Sequence, residues 1–376
     1  MSDHIPLELQ AEIIKRVPLK SLLQFRSVSK EWKSVIDSPD FGDDYCLRQS
    51  QPRRLLIRYT DITSILNDYK YVWVADDDDT FHQHQIPSTT LPKSVNNGMV
   101  SKIVGCAHGL FCFYGYDLDH KSYMAVVWNP WIRKCVDVPV PNVLFGWYET
   151  VLGFGVSPLT KDPMIVKINS YVDSRMYSSV CTPWRVEVFT LSSGTWKTPS
   201  GSINNLPCRD SIRFCWGQVA LDGVIYWLAF EWIKVDGKYR DHNLIMSFDL
   251  SSEGFQEVCL PDNLARLSHH DLSITKRMES VVVLERDATR TSCGVWMMGK
   301  GVTKSFTKLF TVMPWVVSPY FMICGFRKNA EPIVDHGSNA LFAYDSYSEP
   351  KNLVIVGKSS SFSMEPYMET LLLIDQ

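Results

Sequence analysis

Few side chains in this sequence are spaced for chemistry. Cys106 stands two residues before His108, the residue types of a thiolate nucleophile and its base. No GxSxG elbow or second activating group accompanies them, so the pair reads as a sequence neighbourhood. His82 and His84 fall on one face of an extended strand, where two imidazoles could begin a metal site, but no third ligand can be named and a surface strand is the expected setting. Asp76 to Asp79 are four consecutive carboxylates without the spaced Asp/Asn, glycine and distal glutamate of a calcium loop, which predicts a solvated hairpin tip. His269 and His270 would point to opposite sides if extended, and an exposed loop explains them. The Gly153-Phe154-Gly155 element falls short of a dinucleotide fingerprint and has no βαβ setting. Gly105, Gly109 and Gly115 mark tight strand geometry instead. Trp131, Trp184, Trp196, Trp216 and Trp227 could line a ligand surface, although most are expected in a core. The residues therefore predict no catalytic group, no cofactor and no metal.

Two kinds of element must position whatever function remains. Before residue 50, apolar residues recur at helical spacing: Leu9, Ile13 and Val17, then Leu22, Phe25 and Val28, then Trp32, Val35 and Ile36. Pro6 and Pro18 suit helix starts, and Ser38-Pro39 a helix end, so the spacing predicts three short helices. Val28 and Trp32 are expected inside this head. Forty residues are too few for a self-sufficient core, so the head must dock on something. After the linker at 47–54 the runs become strand-like, as in LLIRY, GLFCFYGY, MAVVW, GVIYWLAF and LIMSFDL.

A recognisable hairpin returns through this body. Anchored at Val74, Trp128, Thr190, Asp249, Met297 and Asp345, it recurs at spacings of 54, 62, 59, 48 and 48 residues. That is near the period of roughly 50 expected for kelch-type blades. A β-sandwich would also have many short strands, but without the higher period. The expected fold is mainly β: a three-helix head over residues 1–46 and a six-bladed, kelch-like propeller over 55–376.

Composition narrows the function classes. The 376 residues are 45% hydrophobic and carry a net charge of −3, without the Lys/Arg excess that phosphate backbones require, so no nucleic-acid partner is expected. The N-terminus lacks an apolar signal region and no run spans a bilayer, so the chain is expected in the cytoplasm or nucleus with no membrane partner. The ten cysteines include no CxxC pair and read as small buried hydrophobes.

The segment IPLELQAEIIKRVPLKSLLQFRSVSKEWKSVIDSPDF, Ile5 to Phe41, closely resembles the F-box of plant proteins, with Ile5-Pro6 and Val17-Pro18 where that pattern has Leu-Pro. The stretches WNPWIRKCVDVPVP, LGFGVSPLTKDPMIVKI and EPYMETLLLI resemble the F-box-associated region of the same proteins. The resemblance implies a non-catalytic, substrate-recognising subunit of an SCF-type (Skp–cullin–F-box) ubiquitin ligase. Its partners would be a Skp-type adaptor, through it a cullin and a RING protein, and a substrate held near an activated thioester by proximity. Ile5, Pro6, Leu9, Ile13, Pro18, Leu22 and Leu23 form more apolar surface than three helices can bury, and with Lys30 they are the expected adaptor contacts. Arg26 could join them or be solvated. The competing reading is a propeller enzyme or glycan-binding protein whose helical head is incidental.

Overall fold

The structure, a computed structural model, describes residues 5–38, 41, 54–63, 69–76, 80–87, 91–92, 102–143, 148–171, 184–199, 212–289, 291–301, 304–313, 318, 320–345 and 349–373. The boundary expected at 46–47 and most of the linker lie outside the described residues, as do Asp77 to Asp79. The head contains α1 (Leu7–Ile14), α2 (Leu19–Val28) and α3 (Lys30–Ile36). Pro6 and Pro18 each stand immediately before a helix, with φ already near the helical value, and Ser29 caps α3 by accepting from the Trp32 amide at 3.3 Å. Ile14, Leu22, Ile36 and Phe41 form a small core, against which Phe25 and Trp32 meet edge to face at 5.2 Å. Trp32 is half-buried and its Nε1 donates to Gln10 Oε1 at 2.7 Å. Val28, expected inside, is 70% exposed: α2 turns it away from α1 and α3.

Six four-stranded antiparallel sheets follow. Blade 1 holds β1 (Arg54–Thr60), β2 (Tyr69–Ala75) and β3 (Gln83–Ile86). Blade 2 holds β4 (Lys102–Ala107), β5 (Leu110–Asp117), β6 (Ser122–Asn129) and β7 (Lys134–Pro139), and blade 3 holds β8 (Tyr148–Val156), β9 (Pro163–Tyr171), β10 (Arg185–Thr190) and β11 (Thr195–Lys197). Blade 4 has β12 (Arg213–Leu221), β13 (Val224–Val235), β14 (Lys238–Asp249) and β15 (Gly254–Cys259), followed by a one-turn helix, α4 (Asp262–Ala265). Blade 5 has β16 (Leu272–Arg277), β17 (Ser280–Arg286), β18 (Cys293–Met298) and β19 (Phe306–Val312), and blade 6 has β20 (Met322–Phe326), β21 (Pro332–Asp335), β22 (Ala340–Ala343) and β23 (Lys351–Val356). The ring closes when β24 (Ser363–Tyr367) pairs with β1 as the innermost strand of blade 1, Tyr367 opposite Arg54 and Glu365 opposite Leu56. Five hairpin anchors fall on the third strand of their blade and Asp345 falls just after one, so the period of about fifty is one blade.

Strand alternation explains why the middle strands are apolar on both faces. Along β13, Ile225, Trp227 and Ala229 enter the core shared with blade 3, while Tyr226 and Leu228 enter the core shared with blade 5. Close approach between blades depends on missing side chains: a Cβ on Gly153 would lie 2.1 Å from the Trp227 ring, and one on Gly155 2.6 Å from Leu250. The Gly153-Phe154-Gly155 element is thus packing geometry, not a phosphate cradle.

The two ends of the ring differ. In β12 the register shifts between Phe214 and Gln218, a bulge that Gly217 permits with φ +104°. The bulge throws β12 towards β4. Gln218 then accepts from Phe154 N at 2.7 Å and donates to Phe154 O at 2.6 Å, while Gly105 leaves the space its amide fills. This strut ties the inner strands of blades 2, 3 and 4 together. At the opposite end lie the turns between first and second strands, His108-Gly109, Asp222-Gly223 and Met278-Glu279 among them, and they surround the mouth of a central channel of about 860 Å³.

Two sequence expectations change here. Asp76 is not a solvated tip: it is buried, accepts from Arg327 Nε at 2.8 Å and from Lys328 N at 2.6 Å, and so fastens blade 1 to blade 6 beside the closure. His269 and His270 are not extended but open a 3₁₀ turn, where His269 stacks on Phe230 at 3.8 Å and its Nδ1 bonds Asp241 at 2.7 Å. His82 and His84 are exposed near or on β3, as a surface strand requires.

Candidate functional site

The expected contact residues divide sharply by exposure. Leu9 and Ile13 lie one turn apart on α1 and are each 56% exposed, with Ile5 on the same stripe at the helix entrance and Leu7 beside it also exposed. Pro6, Pro18 and Lys30 are exposed, and Leu23 is half-buried against the head core. Leu22 is the correction: it is fully buried between the helices and presents nothing to a partner. Arg26 is held by Asp37 through Nε (2.5 Å) and Nη2 (3.0 Å), so its charge closes a pair inside the head. The inner stripe of α1, ending in Ile14, faces the head core, and the outer stripe is left uncovered among the described residues. Exposed large apolar side chains in a row are the signature of a surface kept for a partner.

The head does not stand free of the propeller. Leu371, beyond β24, belongs to the head's core, and Trp131, in the turn between β6 and β7, packs against it. Asn129 builds this joint. It is wholly buried, its Nδ2 donates to the carbonyls of Thr370 (3.0 Å) and Leu372 (2.8 Å), and its Oδ1 accepts from the amides of Trp131 (3.0 Å) and Ile132 (3.4 Å). One amide side chain therefore shapes the turn that aims Trp131 at the head and pins the tail that supplies Leu371. Arg54 lies over the Trp131 ring at 5.1 Å and bonds Glu369 at 2.5 Å, closing the joint from the side of β1. The WNPWIRK and EPYMETLLLI stretches meet here. The sequence marked both as landmarks, yet neither showed that they touch, because 241 residues separate Asn129 from Thr370.

The channel carries the chain's other unusual chemistry. Burial drives the Cys106 thiol well above its ordinary value, the neighbouring Glu365 carboxylate adding to the shift and Lys276 opposing it. A shift in this direction works against the thiolate that a nucleophile needs. Glu365 faces the channel from β24, and burial pushes its carboxyl up to about 7. Among the described residues no group of three or more His, Cys, Asp or Glu side chains is placed to hold a metal. Of the five tryptophans, Trp184 and Trp227 are core, Trp196 and Trp131 are half-buried, and Trp216 is exposed on the β12 bulge.

Comparison with known proteins agrees with this architecture. Residues 55–368 match the family described as the F-box associated beta propeller domain, and residues 2–44 match the F-box domain. A putative F-box protein of Arabidopsis thaliana is 27% identical over 270 residues, covering 70% of this chain and 61% of that protein. Another Arabidopsis F-box protein is 26% identical, covering 69% and 59%, so the chain spans about three-fifths of the length of these relatives. The Arabidopsis protein SUPPRESSOR OF NIM1 1 is 24% identical over 296 residues, covering 78% of this chain and 74% of its own. Among solved structures, TolB from Acinetobacter baumannii superposes with a TM-score of 0.39 at 9% identity, over 91% of this chain and 71% of that one. With an F-box match in the helical head and a family match across the whole ring, the chain belongs to the F-box associated beta propeller family and is an F-box protein of the kind its Arabidopsis relatives represent.

Proposed function

We propose that this chain is the substrate-recognition subunit of an SCF-type ubiquitin ligase, with a Skp-type adaptor on the F-box and a target protein on the propeller. The observation that carries it is the outer stripe of α1: Leu9 and Ile13 stay open to solvent while the inner stripe packs into the head's core. In this reading the chain supplies no chemistry. It holds a substrate lysine near a thioester carried by the cullin and RING assembly, where raised effective concentration does the accelerating. The contact set is Ile5, Pro6, Leu9, Ile13, Pro18, Leu23 and Lys30, and Leu7 and Val28 extend it by exposure. Cytoplasm or nucleus is the setting such a partner set implies.

The test is co-purification with a Skp-type adaptor. Leu9→Asp combined with Ile13→Asp places two carboxylates on the outer stripe without entering the head core and should abolish the complex while thermal unfolding of the propeller is unchanged. Full adaptor binding by that variant sinks the assigned interface, and absence of cullin from complexes captured in plant extract sinks the ligase role.

A further inference from the structure

The end of the propeller opposite the head carries a feature that ring closure does not need. β13 and β14 are each 12 residues long, and they continue past their last rungs with neighbouring strands, Arg213 opposite Phe230 and Leu244 opposite Cys259. The excess is a two-stranded ribbon running from the Glu231 and His242 pair to the Val235 and Lys238 pair, closed by Asp236-Gly237 with both φ positive, as a type I′ turn demands. Its outer residues are not core: Lys234, Lys238 and Arg240 are exposed, and Tyr239 is 50% exposed.

At the ribbon's base two tryptophans each hold a cation. Arg213 lies 4.1 Å from the Trp232 ring, and Lys102 lies 3.8 Å from the Trp216 ring on the β12 bulge. Neither cation closes an ion pair with a carboxylate among the described residues. Burial lowers both, and raises Glu149, the carboxyl set between them, as partly dried charges require. Two further carboxylates lie at the base: Asp241, which accepts from Trp232 Nε1 at 2.9 Å and bonds the His269 amide and ring, and the half-buried Glu231, opposite His242 in the first rung of the ribbon.

We propose that this far end, the ribbon with Trp216 and Trp232 at its foot, binds an acidic extended segment of the substrate protein. The inference rests on the receptor reading and adds where and by what chemistry the target is held. Among the exposed ribbon residues Lys234, Lys238 and Arg240 outnumber Asp236, and with Lys102 and Arg213 set against Glu149, Glu231 and Asp241 this end carries five cations to four carboxylates, the exposed excess being positive. Trp, Tyr and Arg are also the side chains that concentrate binding energy at protein interfaces.

The experiment uses the full chain bound to its Skp-type adaptor, selected against a displayed library of random peptides about fifteen residues long. The expected result is enrichment of Asp/Glu-rich peptides whose affinity falls as salt rises. Reversing the ribbon with Lys234→Glu, Lys238→Glu and Arg240→Glu should weaken those peptides at least tenfold or turn the preference basic. Tyr239→Ala should weaken them without changing the preference. Peptides with no acidic bias, no enrichment, or unchanged affinity in the reversed variant overturn the proposal. Adaptor capture in the same preparations reads the receptor role separately, since loss of adaptor with acidic selection intact would count against that role alone.

Discussion

At the residue scale, a buried ion pair that holds the ring contrasts with a channel carboxyl that burdens it. Asp76 and Arg327 are both nearly inaccessible, and removing Asp76 leaves Arg327 in a dry site with the partly exposed Glu331, 2.8 Å from its Nη1, still beside it. Asp76→Ala is therefore expected to cost up to about 3 kcal/mol, the low end for breaking a buried pair, read as a shift in the urea midpoint. Glu365 works the other way. Its folded carboxyl titrates near 7 against an ordinary 4.5, so between those values the native state binds more protons than the unfolded chain. The stability this confers is fully present below about pH 4.5 and lost as pH rises through 7, at most about 3 kcal/mol, with channel water screening part of it. Glu365→Gln should therefore gain on the parent as pH rises from 5 to 8, and parallel stability curves for the two proteins would refute the assignment. Neither residue was legible in sequence. Asp76 looked like one of four solvated acids because its partner lies 251 residues downstream, and Glu365 became unusual only once six blades enclosed it.

At the element scale the sequence was far more legible, since strands and short helices are written in local periodicity. The three helices fall where Pro6, Pro18 and Ser38 bracket them, and the hairpin anchors mark the same stage of each blade. What periodicity could not express is which face of a helix meets its neighbours. Leu22 and Val28 exchanged roles for that reason, the first sealed in the head and the second left outside. The glycines of β8 are likewise unreadable without blade 4 beside them. Gly153→Ala should cost about 1–3 kcal/mol by forcing the Trp227 ring aside, and Trp227→Phe should recover part of that loss in a double-mutant cycle. Additive losses would show that the two do not press on one another. Gln218→Ala removes two hydrogen bonds that cross between blades, and should speed amide exchange at Phe154 before it lowers global stability.

At the scale of the whole molecule, the head, the tail and the turn after β6 form one joint, so the exposed stripe of α1 and the β13–β14 ribbon are carried at opposite ends of a single unit. Asn129→Ala leaves the carbonyls of Thr370 and Leu372 without their donor and lets the Trp131 turn relax. The expected outcome is a propeller with nearly unchanged melting and a head that protease releases sooner. Equal protease sensitivity would show that the joint does not depend on this amide. Fold class and ring size were both readable from the repeat, while the joint was not, because contacts between distant segments leave no periodic trace.

That joint also imposes an order on biogenesis. Synthesis proceeds from the N-terminus, so the F-box helices leave the ribosome before the blades and wait while all six are made. Only when residues 363–373 emerge can β24 enter blade 1 and Leu371 reach the head, and both events draw on the same short stretch of chain. An interrupted or frame-shifted product thus lacks the inner strand of its ring and the anchor of its head together. Such a chain has neither a closed ring nor a fixed head, and only chains that have passed residue 373 can hold the two in one rigid relation.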